Sequence, residues 1–305
     1  MVTEPTVLVL GAGASIDYGF PLGRGLRDLV CGIKRSSTAG VIENAGYSFD
    51  LLNEFIDTLR LSGFSSVDWF LEERPEYVSI GKAAIAASLI PFENPDKLFP
   101  PHAPQNHWYE LLLNVLDRPL GNFDSNNLSI ITFNYDRSLE HYLFTILTTR
   151  YRSDQRAAEV MSRFSIVHVH GTLGGLLPLE SSGRRYKPEL NSEAVQIAAE
   201  KIIIVGEASG ETTEFKNART LLRCAKRIIF LGFGYHPESV KRLGIFKEPW
   251  TEEMRQNVRV GGTSRGIPAH AWNHIQANVL NGAFPARNRK IDPVYSYLND
   301  AEPLD

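Results

Sequence analysis

Residues Val7–Leu26 read VLVLGAGASIDYGFPLGRGL, and this stretch decides the fold. Four apolar residues run straight into Gly11-Ala12-Gly13. A short continuous apolar run that stops at glycine suits a strand buried on both faces, as a parallel sheet requires. Gly11 suits a tight turn, and Gly13 suits backbone passing close to a diphosphate where a helix begins. The ordinary dinucleotide fingerprint G-x-G-x-x-G is not completed, because its last position is Ile16. Nor does an acidic residue close a second strand about 20 residues on, where it would hold a ribose. A nicotinamide-dependent dehydrogenase is therefore disfavoured, and a GxG turn alone identifies little.

Working outward from Thr6–Leu10, four more runs have the same texture: Leu128–Thr132 (LSIIT), Ile166–Val169 (IVHV), Lys201–Val205 (KIIIV) and Arg227–Leu231 (RIIFL), with Asn257–Val260 as a weaker sixth. Helix-like segments such as Glu214–Ala225 precede most of them. The alternation predicts an α/β fold, a Rossmann-like doubly wound parallel sheet. The residues after each strand are polar or glycine-rich: Gly11–Ser15, Phe133–Asp136, His170–Thr172, Gly206-Glu207 and Gly232–Tyr235. In open α/β sheets a ligand sits beyond the carboxyl ends of the strands. Five such endings on one edge predict a site there.

The first two strands are far apart in sequence. Asp50–Leu61, Val78–Leu89 and His107–Leu116 carry helical spacing, and the Pro-rich stretch Pro91–Pro104 interrupts them. A strand-to-strand crossover needs much less chain. The expected organisation is a Rossmann-like domain over 1–35 and 127–283, a helical insertion domain over 36–126, and a C-terminal arm over 284–305. That arm is polar, holds Pro285, Pro293 and Pro303, and is expected to be loosely ordered.

At 305 residues and 43% hydrophobic, the chain has enough apolar material for one large domain with an insertion. A net charge of -3 with no Lys/Arg block argues against direct nucleic-acid binding. Cys31 and Cys224 form no CxxC pair, which excludes a zinc ribbon and fits a reducing compartment; both read as small buried hydrophobes. No basic leader precedes the apolar run at Val7–Leu10, and no stretch reaches membrane length, so the expected location is the cytoplasm, with no membrane partner.

Three strand endings carry candidate chemistry. In ITFNYD, Asn134 and Asp136 flank Tyr135 directly after a buried strand, where a desolvated amide and carboxylate need partners. They read either as a ligand site or as an Asx turn capping a helix over 137–147. In VHVHG, His168 and His170 alternate along a strand, and His170, beside Gly171, is placed as a general base. Metal ligation by the two lacks a third ligand at suitable spacing, and His168 reads as a satisfied interior histidine. In FLGFGYHPESV, Gly232 and Gly234 suit close approach of a ligand, while His236 reads as part of a helix start.

Together, GAGAS with GFPLGRG, then ITFNYD, VHVHG and FLGFGY, resemble in order the glycine loop, the TQNID strand end, the catalytic HG and the GTS strand end of the sirtuin-type NAD-binding family. GGTS at 261–264 is similar to the family's late adenosine-side segment. The resemblance implies that NAD is held by Gly11, Ala12, Gly13, Ser15, Asp17, Phe20, Pro21, Gly232, Gly234, Tyr235, Thr263 and Ser264. It implies catalysis by Asn134 and His170, with Asp136 steering the carboxamide or ribose. Two departures matter. The four-cysteine zinc module of the protein-deacetylating members has no counterpart, so no metal is expected, and Phe133 stands where the family carries an amide. The large helical insertion and the TFNYD wording are similar to bacterial sirtuin-like proteins of antiphage defence, which destroy NAD.

The function this implies is an NAD glycohydrolase releasing nicotinamide and ADP-ribose. Free activity of that kind would empty a cell of NAD, so the resemblance also implies restraint by a homo-oligomer or by a partner such as a helicase-type ATPase or nucleic-acid sensor. The alternatives are a non-catalytic NAD or ADP-ribose sensor, and a zinc-free deacylase or ADP-ribosyltransferase.

Overall fold

The structure is a computed structural model that describes the chain apart from residues 102–106, 118–122, 177, 205–211, 246–256, 281–288, 301–303 and 305. Its centre is a parallel sheet of six strands: β1 Thr6–Leu10, β2 Leu128–Thr132, β3 Ser165–His168, β4 Arg227–Leu231, β5 Arg259–Thr263 and the two-residue β6 Arg289–Lys290. Their spatial order is β3-β2-β1-β4-β5-β6, the doubly wound arrangement, and the winding across the sheet reverses between β1 and β4. Leu10 is level with Thr132 on one side and Leu231 on the other, so the loops after β1, β2 and β4 leave the sheet at the same height. That shared exit height is what gathers the site.

Strand side chains alternate between two cores. Leu8, Leu10, Ile130, Ile229 and Leu231 face one, and Val7, Val9, Ile131, Ile228 and Phe230 face the other. The first core is the larger. It takes in helices α1 Gly23–Gly32, α2 Thr38–Asn44, α3 Phe49–Leu61, α4 Val67–Glu73, α5 Val78–Leu89, α6 Pro95–Leu98 and α7 Trp108–Leu116, with α8 Ser138–Tyr151, α9 Asp154–Ser162 and α10 Ser192–Lys201. Within α5 the run Ala83–Ala87 is buried on every side, the mark of a helix at the middle of a layer, not at its surface. The second core is covered by α11 Thr213–Cys224, α12 Pro237–Leu243 and α13 Ala269–Asn278. The described residues of 36–126 are mainly helical, but their apolar core is continuous with one face of the sheet, and α1 and α10, from outside that segment, complete it.

Several expectations are corrected. Among the described residues, Lys201–Ile204 of the expected Lys201–Val205 strand is not a sheet strand. The Asn191 side chain accepts from the Ala194 amide and caps α10, which runs through Lys201; Ile202 then makes an isolated antiparallel bridge to Gly171. Its apolar residues fill the core from a helix end, a case that a short apolar run cannot distinguish from a strand. Val205 and the Gly206-Glu207 ending lie outside the described residues. The last long strand is Arg259–Thr263, displaced from 257–260, so Thr263 ends the strand. The C-terminal arm is not loose where described: β6 extends the sheet, and α14 Val294–Asp300 buries Val294, Tyr297 and Leu298. Residues 284–288, 301–303 and 305 of it lie outside the described residues. Cys31 is half-buried and Cys224 is exposed, so the pair are not both core residues. Among the described residues no helix is long and apolar enough to cross a membrane.

Candidate active site at the carboxyl edge of the sheet

Beyond β1 the chain makes two short 3-10 turns, Ala12–Ala14 and Ile16–Tyr18, before α1 begins at Gly23. The glycines of this loop serve a purpose different from the expected one. A Cβ on Gly11 would lie 2.7 Å from the Gly232 carbonyl oxygen, and one on Gly13 would lie 2.8 Å from the same atom. Gly232 in turn has φ of +59°, and a Cβ there would strike the Ala14 nitrogen. The two loops at the switch point thus pass backbone against backbone, a contact only glycine permits. Their amides are spent on the same contact: Gly11 N–H donates to Leu231 O (3.0 Å), Gly13 N–H to Gly232 O (2.9 Å) and Gly232 N–H to Thr263 Oγ1 (2.8 Å). Gly11 and Gly13 therefore bind the β4 loop; they do not form a bare amide cradle for a diphosphate, and the first full helix starts too late to supply its N-terminus there.

Asn134, Asp136 and Ser15 meet. The Asn134 side-chain amide donates to Gly11 O (3.0 Å) and to Ser15 Oγ (3.0 Å), and Ser15 Oγ–H donates to Asp136 Oδ2 (2.8 Å). The other carboxylate oxygen, Asp136 Oδ1, accepts from the Ser138 amide (3.2 Å) and from the Ser138 hydroxyl. The Asp136 carboxylate thus accepts from the first amide of α8 and from Ser15 of the glycine loop, which is the Asx-turn reading of ITFNYD. Burial pushes the Asp136 carboxyl above its ordinary range, and the donors from Ser138 and Ser15 counter that only in part. Both N–H groups of Asn134 are committed, and Asn134 lines a small cavity of about 90 Å³ with Ala12, Ser15, Phe20, Pro21, Asp68, Phe133 and Tyr135.

His170 stands beside this cluster without bonding to it. Its ring lies 5.6 Å from that of Phe133 and 6.2 Å from that of Tyr135, the two neighbours of Asn134, and 6.0 Å from Phe215. Nδ1 is buried with no hydrogen-bond partner. Burial pulls the imidazole below its ordinary value, the carboxylates of Asp68 and Glu72 push it back, and Arg242 pulls it down again, leaving it lowered. The Tyr135 hydroxyl donates to Asp68 Oδ1, and Arg242 grips Glu72 with two bonds of 2.7 Å. Helix α4 is thereby tied to α12 and to the β2 loop, over the side of the edge where His170 lies. Asp68 and Glu72 sit deep in the helical insertion, and no motif pointed to them. His168 does not share a site with His170: its two ring nitrogens face the Asn134 carbonyl and Glu140.

Five of the remaining named residues line a second and larger cavity, of about 490 Å³, on the β4–β5 side. Gly13, Asp17, Gly232, Gly234 and Thr263 border it, and so do Arg265, Asp292 and Val294, which the sequence did not single out. A Cβ on Gly234 would meet nothing within 4 Å, so that glycine does leave room for a ligand. Asp17 and Arg265 both line this cleft, and each lies within reach of the other's charge. Tyr235 does not line the cleft. Its backbone is left-handed at φ of +52°, its ring packs against Phe230, Phe233 and Trp272, and its hydroxyl donates to Thr263 O (2.9 Å). Ser264 is likewise buried, with Oγ accepting from Arg289 Nε (2.6 Å). Both residues shape the cleft from behind.

No family model matches this chain. No curated protein matches it either. A volume of 490 Å³ falls within the range of ordinary small-molecule pockets, and its position at the switch point is where doubly wound sheets take nucleotides. The two cavities share the Gly11–Ser15 loop as a common wall, one on each side of it.

Proposed function

We propose that the chain binds NAD across the glycine loop and cleaves its nicotinamide–ribose bond, releasing nicotinamide and ADP-ribose. The observation that carries this reading is the Ser15–Asn134–Asp136 cluster at the switch point, with the unpartnered Nδ1 of His170 beside it. The sequence motifs that resemble the sirtuin-type family coincide with these residues, and the resemblance to antiphage NAD hydrolases makes destruction of NAD the favoured outcome.

In this reading the adenosine end occupies the larger cleft, with Gly234 giving room and Arg265 facing the diphosphate. The nicotinamide riboside end reaches the smaller cavity. Nicotinamide leaves as a neutral molecule from a cationic precursor, so its departure needs no strong acid. The bond between ribose C1′ and the pyridinium nitrogen breaks, and its electron pair stays with nicotinamide. The oxygen of a water then bonds C1′, and the proton that water loses goes to His170. A neutral imidazole is required for that, and the lowered affinity of buried His170 for protons favours it. Asn134 Oδ1 orients the water or a ribose hydroxyl, and Asp136, its oxygens already engaged, acts by holding Ser15 and Asn134 in place.

The test is nicotinamide release by purified full-length protein. His170→Ala and Asn134→Ala should each lower it by about 10²–10⁴-fold without unfolding the protein. The wild-type rate should hold as the pH falls to the ordinary histidine value of 6.5 and decline only beneath it, because the base works only when deprotonated. A folded variant with wild-type turnover would remove that residue from the mechanism.

A second reading, a non-catalytic NAD or ADP-ribose sensor, draws support from the small size of the inner cavity and from the ties that hold α4 over it. A cavity of about 90 Å³ is well below the roughly 300 Å³ of ordinary ligand pockets, so α4 must move before a nicotinamide riboside can enter. Calorimetric binding of NAD with no nicotinamide formed over hours would favour this reading. Restraint of the activity by oligomer formation or a partner protein is part of the first reading and is tested by comparing turnover with oligomeric state.

A further inference from the structure

We propose that Glu140 and His168 are a buried positioning pair which holds Asn134 in its working orientation, and that the pair does so only while the imidazole carries a proton on both ring nitrogens. The catalytic meaning of this inference rests on the reading of Asn134 just given.

Each ring nitrogen of His168 faces an acceptor. Nδ1 lies 2.9 Å from the Asn134 carbonyl oxygen, and Nε2 contacts Glu140 Oε1. A backbone carbonyl can only accept, and so can an ionised carboxylate. A neutral imidazole has one N–H and can satisfy one of the two. The doubly protonated ring satisfies both, and the nearby carboxylate stabilises its charge. Both side chains are largely removed from water, at 9% and 17% exposure, so an unmet acceptor here would be costly. The charged groups acting on His168 are Glu140 from α8 and Asp136 from the loop before it; Arg137 acts on Glu140. Burial pulls the imidazole down, but Glu140 and the Asn134 carbonyl outweigh it, leaving His168 raised. Burial likewise pushes Glu140 up, and the His168 charge and hydrogen bond bring it below the usual range.

The consequence for Asn134 is a clamp from both sides. Its amide N–H donates to Thr132 Oγ1 (3.1 Å), its carbonyl accepts from His168, and its side chain spans Gly11 and Ser15. Thr132 and His168 are register partners on β2 and β3, so the clamp is built from the last ordered rung of the sheet. Deprotonating His168 releases one jaw. Asn134 Oδ1 then loses its fixed direction. His168 touches no substrate in this arrangement; it acts through Asn134.

The test is a pH titration of the ¹⁵N-labelled full-length protein by NMR, following the ring nitrogens of His168 and the side-chain amide signals of Asn134, with nicotinamide release measured in parallel. The expected result is one common midpoint above the ordinary histidine value, with Asn134 shifting and turnover falling as His168 loses its proton. Glu140→Gln should move both to lower pH by about one unit or more. His168→Gln, which keeps a neutral donor, should abolish the titration of the Asn134 signals and the alkaline fall in rate. Asn134 signals that stay still while His168 titrates, or a His168 that is neutral throughout, would overturn the proposal. Uniform loss of activity in Glu140→Gln at every pH would also overturn it, since a merely structural pair gives that result. Should Glu140→Gln not fold, the wild-type titration still decides. If the wild type releases no nicotinamide, the reaction reading fails while the Asn134 titration still judges the clamp.

Discussion

Beyond β2 and β3 the edge of the sheet is polar, internally bonded and nearly full; beyond β4 and β5 it is open and mostly apolar. On the first side Ser15, Asn134, Asp136, Ser138, His168 and Glu140 satisfy one another, and about 90 Å³ remains. On the second side about 490 Å³ is bordered by glycines, Thr263 and Val294, with charge confined to Asp17, Arg265 and Asp292. On the proposed reading, the difference sets what each end of NAD would receive. Chemistry needs groups fixed to within about half an ångström, and fixed groups need bonded neighbours. A handle needs only room, apolar surface and a counter-charge.

The strongest way to break this contrast is to remove what braces the rigid side. Arg137, which follows Asp136, is buried against Glu93, donating 2.9 Å bonds to both of its carboxylate oxygens and further bonds to the carbonyls of Gly175 (2.6 Å) and Arg184 (3.0 Å). Arg184 also binds Glu93. Glu93→Ala would leave two buried guanidiniums without their anion, at a cost of about 3–5 kcal/mol. That is a large part of the stability of a typical domain, and denaturant unfolding should register it plainly. A loss under ~1 kcal/mol would mean that the 174–185 segment does not brace the site.

Next in size is Ser15→Ala, which acts inside the cluster. It strips a donor from Asp136 Oδ2 and an acceptor from the Asn134 amide while leaving every glycine in place. The expected loss of stability is about 1–3 kcal/mol, the cost of a buried carboxylate oxygen left unmet. Nicotinamide release should fall through kcat, with KM for NAD little changed, because the open side is untouched. A rise in KM with kcat preserved would move Ser15 from the rigid side of the comparison to the binding side.

Much of this was legible in the sequence, and unevenly so. The strands β1, β2 and β4 were readable because each is a short apolar run closed by glycine or polar residues, and they carry the doubly wound order with them. Asn134 and Asp136 were readable for a related reason, as polar groups set directly after buried backbone. KIIIV misled because an apolar helix end and a buried strand share the same composition, and only the Asn191 cap, ten residues earlier, separates them. Glu140 was within reach: it falls about one helical turn after Asp136, on the helix whose first amide donates to Asp136. Asp68 and Glu72 were not, because they approach His170 from a segment about 100 residues away, through contacts that only the closed fold creates. The glycines were recognised with the wrong partner. Their pattern shows that backbone must come close to something, and here that something is the Gly232 loop.

The smallest expected effect falls on the open side, and it sharpens the comparison most. Arg265 is the one cation among the described residues that border the larger cleft. If that side supplies only binding, Arg265→Ala should raise KM for NAD roughly three- to tenfold, about 1 kcal/mol, because an exposed charge on a diphosphate is screened by water and salt. Turnover at saturation should stay at the wild-type rate, since an interaction equal in ground state and transition state lowers KM alone. Unfolding by denaturant should be unchanged, and the KM difference should shrink as salt is added. A drop in kcat of the size expected for Asn134→Ala would mean that the division into a rigid reacting end and a permissive binding end is wrong, and that Arg265 reaches the bond being broken.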